Sequence, residues 1–302
     1  MSQIVNKYSE AMIQKMYHYY NNKLVDLPKG AVFRAKTNHA VITAYHSGKV
    51  LFQGQAPEIE ARKWQDDVST KQTTSPYAPP ATLFSSSHIG SDEAGTGDYF
   101  GPVTVASTYV HSDMMNVLKE IGVKDSKAFS DATVFQLSKE ILSLNVPYSL
   151  LILPNQKYNS LQEKGWSQGK MKAMLHHHVN QNVIRKIEKQ PYEGVVIDQF
   201  CDPAIYQKHL QSEQKTMPDN TYFKTKAEQY SLAVAAASIL ARASFLKKMD
   251  ELSIELGIKL PKGASQQVDQ TIATIIKTRG KSALYGVAKL HFANTKKANK
   301  YL

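Results

Sequence analysis

Between Asp66 and Ser87 the chain loses every periodic pattern. The stretch QTTSPYAPPATLFSSS sets three prolines among serines and threonines. Proline fixes φ and removes an amide donor, so neither a regular helix nor a central strand runs through it. A chain of 302 residues interrupted in this way folds as two units. Residues 66–87 are predicted to be a linker between a first domain, 1–65, and a second, 88–302.

Upstream of the break, apolar side chains stand at Ile4, Val5, Tyr8, Met12, Ile13 and Met16. That spacing predicts one amphipathic helix over residues 3–20. Pro28-Lys29-Gly30 is a turn. AVFRAK, VITAYH and KVLFQG follow, rich in β-branched and aromatic residues, and Ser47-Gly48 joins the last two as a hairpin. Pro57 opens a short helix, EIEARKW. The first domain is a small α+β unit. Its strands carry Phe33, Tyr45 and Phe52 with Arg34, Lys36 and Lys49 interleaved. This pattern suits a sheet face that rides on a duplex, and equally suits core aromatics backed by a solvated face.

Downstream, HIGSDEAG reads as a strand entering a turn, and GPVTVASTYV and YSLLILP read as strands. GVVID is a short buried strand ending in Asp198. Helices are predicted over 131–144, 168–190 and 226–249, with another starting at Asp202-Pro203. Strands alternating with helices give an α/β fold in which a sheet lies between helical layers.

Composition narrows the function. Hydrophobic residues make up 42% and charged residues 21%, which excludes a disordered chain. One cysteine, Cys201, leaves no internal disulfide and no cysteine-based zinc site. No uncharged apolar stretch is long enough to span a bilayer, and the N-terminus lacks the apolar core of a secretory signal. A cytoplasmic protein without a membrane partner is expected. The net charge of +11 is uneven: residues 1–84 carry +4, residues 85–276 carry zero, and residues 277–302 carry seven basic side chains and no acidic one. Basic flanks attract polyanions and leave a balanced middle free to hold carboxylates.

Three acidic positions stand out. Asp92-Glu93 lies where a strand turns into Gly95-Thr96-Gly97, Asp198 ends an apolar strand, and Glu228 lies near the start of the alanine-rich helix. A salt bridge or a cap accounts for any one of these acids. Four acids on elements that converge, between basic flanks, need a counterion. Without spare cysteines the natural choice is Mg²⁺ or Mn²⁺, and a pair of such ions suits phosphodiester hydrolysis. Gly95 and Gly97 let backbone amides approach a phosphate or sugar, although a tight strand connection explains them too. Lys127, in Asp125-Ser126-Lys127, can hold a phosphate as a point charge or stand in solvent. His176, His177 and His178 are consecutive on a helix, point in different directions, and read as surface or satisfied core residues. Cys201 has no histidine near it in sequence and is not expected to be a nucleophile.

GSDEAGTGDYFGPVTVA, KDSKAFS, VVIDQF and KAEQYSLAVAAASILAR together resemble the type 2 ribonuclease H families, over nearly all of residues 88–250. The preceding domain makes ribonuclease HIII the closer branch. Gly-Thr-Gly in place of Gly-Arg-Gly, and glutamate rather than aspartate at position 228, fit that branch. The resemblance implies a ribonuclease H-like mixed sheet flanked by helices, preceded by a small TATA-box-binding-like α+β domain that grips substrate. It implies a monomeric endonuclease that cuts the RNA strand of an RNA–DNA hybrid with Mg²⁺ or Mn²⁺, leaving 5′-phosphate and 3′-hydroxyl ends. Asp92, Glu93, Asp198 and Glu228 match the catalytic metal ligands. The backbone of Gly95, Thr96 and Gly97, with Lys127, matches the contacts to the RNA strand. The basic C-terminal tail is expected to add phosphate contacts. A hybrid-binding protein on an inactive nuclease fold is the alternative from another class.

Overall fold

The computed structural model describes residues 2–28, 30–64, 76–126 and 129–302. The chain divides into two compact units, Met1–Ser75 and Pro76–Leu302.

The first unit opens with strand β1 (Ser2–Lys7), not with a helix. Ile4 and Val5 pair with Phe52 and Leu51 of a later strand, so the two β-branched residues take up the extended backbone they favour. Helix α1 (Glu10–Tyr19) starts only after Ser9, whose hydroxyl accepts from the Met12 amide at 3.3 Å. Strands β2 (Ala31–Lys36), β3 (Ala40–Tyr45) and β4 (Lys49–Gly54) then precede helix α2 (Pro57–Arg62). The antiparallel sheet runs β1-β4-β3-β2. Met12, Ile13, Met16 and Tyr20 pack against Phe33, Ile42, Val50 and Phe52 on one face. Phe33 and Phe52 are therefore core aromatics. Strand alternation turns Arg34, Thr43, Leu51 and Val5 to the opposite face, in register across the sheet.

In the second unit, β5 (His88–Ala94), β6 (Val103–Val110) and β7 (Tyr148–Leu153) run antiparallel in sequence. Helices α3 (Met115–Glu120) and α4 (Asp131–Ser143) separate β6 from β7. After α5 (Asn155–Glu163) and α6 (Gln168–Ile187), β8 (Val195–Asp198) joins parallel to β5. Helix α7 (Pro203–Gln211) leads to β9 (Thr221–Lys224), parallel to β8. The mixed sheet is ordered β7-β6-β5-β8-β9. All of β6 is buried, as expected of a strand covered on both faces.

Helix α8 (Leu232–Leu256) crosses one face of β5 and β6, and its alanines permit the close approach. Thr104 and Thr108 donate to the carbonyls of Ala241 and Ala233, each at 2.8 Å. A Cβ at Gly90 would run into the Val234 backbone. Helix α6 covers the other side, where Ala173, Met174, Val183 and Ile187 pack with Ile89, Tyr109, Val195 and Ile197. Among the described residues no helix is long and apolar enough to cross a membrane.

Two stretches differ from expectation. Residues 66–75 of the predicted linker lie outside the described residues, but 76–87 pack on the second unit. The Phe223 amide donates to the Tyr77 carbonyl at 2.8 Å, and Leu83 is buried with Val196, Ala227 and Val234. Prolines keep this strap from being a regular element without keeping it from packing. The C-terminal stretch is likewise not a tail. Helices α9 (Gln266–Arg279) and α10 (Asn294–Lys297) flank a 3₁₀ segment, and Leu284, Val287, Ala288 and Ala298 belong to the main core. Lys289 is fully buried, with its ammonium donating to the Asp98 and Gly101 carbonyls, so it offers no charge to a polyanion. The apolar residues spaced between the lysines drive this burial.

Candidate active site

β5 and β8 are parallel neighbours, with Ser91 opposite Ile197, so Asp92 and Asp198 emerge at the same end of the sheet. That end, beyond the carboxyl termini of parallel strands, is where open α/β sheets bind ligands. Asp92 is 7% exposed. Burial, followed by the charges of Glu93 and Asp198, holds its carboxyl well above the usual carboxylate range. Hydrogen bonds from Ser238 of α8 and from the Glu93 amide, the latter 2.7 Å, oppose that rise. Asp92 thus sits in a buried place beside two groups of like charge.

Glu93 is held differently. Lys172 donates to Oε1 at 2.7 Å, and His176 Nε2 lies 2.8 Å from Oε2. Burial acts to raise the Glu93 carboxyl, but the contacts with His176 and Lys172 outweigh it and bring the group down to about 2. Both partners come from α6, one turn apart. His176 Nδ1 lies 2.8 Å from the Ser91 hydroxyl, which also accepts from Asn180 at 3.3 Å. Phe200 stacks on the His176 ring at 5.1 Å, and the Lys172 ammonium lies 4.0 Å from the Phe200 ring centre. His176 is thus the satisfied core histidine that the sequence allowed, with a site carboxylate as one of its two partners. The signal in the sequence is the i, i+4 spacing of Lys172 and His176, which puts both on one helix face.

The Asp198 carboxylate accepts from the Ala227 amide at 2.9 Å. This bond brings the 3₁₀ turn Ala227–Gln229, and with it buried Glu228, to the end of β8. Glu228 precedes α8 rather than lying within it. Ser231 caps that helix by accepting from Val234, and His88 Nε2 lies 2.7 Å from its hydroxyl. Among the described residues no three His, Cys, Asp or Glu side chains are disposed, as they stand, to hold a metal ion. The oxygens of Glu93 are turned to Lys172 and His176.

The glycine loop separates into two roles. Gly95 has φ +85°, and a Cβ there would meet the Pro102 carbonyl and the Phe245 ring, so the fold itself demands glycine. Gly97 has open space around it and no positive φ, so neither packing nor backbone conformation demands glycine there. The Thr96 carbonyl accepts from Gln168 of α6 at 3.0 Å. The following turn is tied to the C-terminal segment. Lys289 N donates to Tyr99 O at 2.8 Å and Gly101 N donates to Val287 O at 2.9 Å. Lys127 lies outside the described residues. Burial pushes the Cys201 thiol up to about 11, so it stays protonated at neutral pH and is no nucleophile.

Comparison with known proteins agrees with this architecture. A family model described as Ribonuclease HII matches residues 89–295, and one described as a domain of unknown function, DUF3378, matches residues 3–76. The chain is 57% identical to Ribonuclease HIII of Oceanobacillus iheyensis over 309 residues, covering 100% of both chains. It is 48% identical to Ribonuclease HIII of Bacillus subtilis, covering 99% of this chain and 98% of the relative. Among solved structures, Bst-RNase HIII in complex with Mn²⁺ aligns with a TM-score of 0.71 at 41% identity, covering 99% of this chain and 98% of the other. Aquifex aeolicus RNase H3 shares the fold at a TM-score of 0.55 and 23% identity, covering 95% of this chain and 99% of the other.

Proposed function

The chain belongs to the ribonuclease HIII family of metal-dependent endoribonucleases, and from that premise we propose that it hydrolyses the RNA strand of RNA–DNA hybrids at the carboxylate cluster of its second unit. The observation that carries this reading is that buried Asp92 emerges with Asp198 at the same end of the sheet beside Glu93, where burial and like charge hold the Asp92 carboxyl high. A divalent cation relieves that repulsion, and an all-oxygen donor set suits Mg²⁺ or Mn²⁺. Asp92 and Asp198 would hold the ions most directly, and Glu93 and Glu228 would complete the set. When bound, two such ions supply an activated water and stabilise the leaving oxygen.

The chain's own residues do the positioning. Ser238 and the Glu93 amide orient Asp92, the Ala227 amide orients Asp198, and α6 orients Glu93. The water oxygen bonds to phosphorus while the bond from phosphorus to the 3′ oxygen breaks, which leaves 5′-phosphate and 3′-hydroxyl ends. The loop of Gly95, Thr96 and Gly97 meets the RNA strand, with Gly97 giving the close approach that a 2′-hydroxyl sensor needs. Lys127 is assigned to a backbone phosphate. The sheet face of the first unit that carries exposed Val5, half-buried Leu51 and Arg34, with Thr43 buried between them, grips the duplex.

The test compares labelled RNA–DNA hybrid, duplex DNA, duplex RNA and duplex DNA containing one ribonucleotide, with and without Mg²⁺ or Mn²⁺. Metal-dependent cutting of the hybrid RNA strand is expected. Hybrid left intact in the presence of metal would overturn the reading.

A further inference from the structure

Resting on the reading of the cluster as a metal site, we propose that Lys172 is a displaceable internal counterion, competing with the divalent cation for Glu93 and so setting how tightly the site binds it. Both Glu93 oxygens are engaged, one by Lys172 at 2.7 Å and the other by His176 at 2.8 Å. The two partners are not equally fixed. His176 is fully buried, stacked on Phe200, and held through Nδ1 by Ser91, which Asn180 holds in turn. It cannot leave without breaking that chain of contacts.

Lys172 ends a flexible four-carbon stem, and its side chain is 12% exposed. Its ammonium already lies over the Phe200 ring, 4.0 Å from the centre, so the ring offers it a seat off the carboxylate. Glu93 Oε1 is thus the oxygen that can be given up, while Oε2 stays anchored on His176. Releasing Oε1 lets Glu93 serve a cation beside Asp92. Until then the ammonium offsets part of the cluster's negative charge. Such a pair makes the site a competition between two cations of different charge for one oxygen, and removing the weaker competitor strengthens the other.

Lys172 acts through Glu93 and is a positioning residue. The test is a titration of the full-length, metal-stripped protein with Mn²⁺, read by the electron paramagnetic resonance signal of free Mn²⁺ and by calorimetry. Lys172→Met should bind Mn²⁺ roughly tenfold more tightly than the unsubstituted chain, as loss of a nearby positive charge requires. Lys172→Arg, which keeps the charge, should stay near the unsubstituted value. The metal concentration for half-maximal cleavage should fall in parallel in Lys172→Met. Lys172→Gln provides a second neutral side chain if Lys172→Met fails to fold, as judged by its melting transition. Equal or weaker Mn²⁺ affinity in a folded neutral variant would overturn the proposal. An unsubstituted chain that binds no Mn²⁺ would instead overturn the metal-site reading on which it rests.

Discussion

Asp92 occupies a place where a neutral residue of the same shape is easier for the fold to accommodate. Its neighbours Glu93 and Asp198 carry the same charge, and water is largely excluded. Asp92→Asn should therefore melt higher than the unsubstituted chain in metal-free buffer, while Mn²⁺ should raise its melting temperature far less. Its cleavage rate should drop by about 10³-fold or more, since catalysis by bound metal loses a ligand, while hybrid affinity persists. Wild-type turnover would refute the assignment. The acids were legible in the sequence because strand ends and glycine turns mark them. The partners of Glu93 were not, because a lysine and a histidine on a polar helix look the same whether they face water or a carboxylate. Only the packing of α6 on β5 distinguishes the two.

The glycine loop and the segments that brace it show how elements share the work. The fold demands glycine at position 95 and not at 97, where we propose that it admits the RNA strand, so substitution should separate them. Gly97→Ala should leave the melting temperature unchanged and raise the Michaelis constant for hybrid. Gly95→Ala should lower stability by about 1–3 kcal/mol through backbone strain and overlap. Calorimetric melting with steady-state kinetics checks both. Lys289 braces the same turn from below, and burial pushes its ammonium down to about 7. The unfolded chain keeps that proton up to about pH 10.4, so between the two values it binds more protons than the fold does. Stability from this group accordingly rises with pH across that window, by up to about 1.4 kcal/mol per unit. Urea unfolding at pH 7, 8 and 9 should show the slope, and Lys289→Met should lack it. At this scale the alternation of strands and helices was legible. The start of the chain was not: Ile4 and Val5 fit a helical stripe by spacing, yet β4 offers them a partner strand, and pairing over that distance leaves no local mark.

For the whole molecule, the division at Ser75 matters more than the proline content that announced it. Tyr77 and Leu83 belong to the second unit, so removing residues 1–75 preserves its packing, whereas a cut at 84 strips Leu83 from its core. The chain lacking 1–75 should bind hybrid at least tenfold more weakly, with a raised Michaelis constant and little change in the turnover number. Unchanged affinity would remove the gripping role from the first unit. Binding by the full chain should weaken steeply with salt. Charge counted along the sequence overstates what the C-terminal stretch offers, since Lys289 is buried.

The pairing of residues 99–101 with 287–289 sets an order on biosynthesis. The acids at 92, 93, 198 and 228 all leave the ribosome before the segment that props the glycine turn. A nascent chain therefore carries all four acids for some time without the brace of its glycine turn. That brace forms only when Val287 and Lys289 have been made and have reached back across nearly two hundred positions of finished protein.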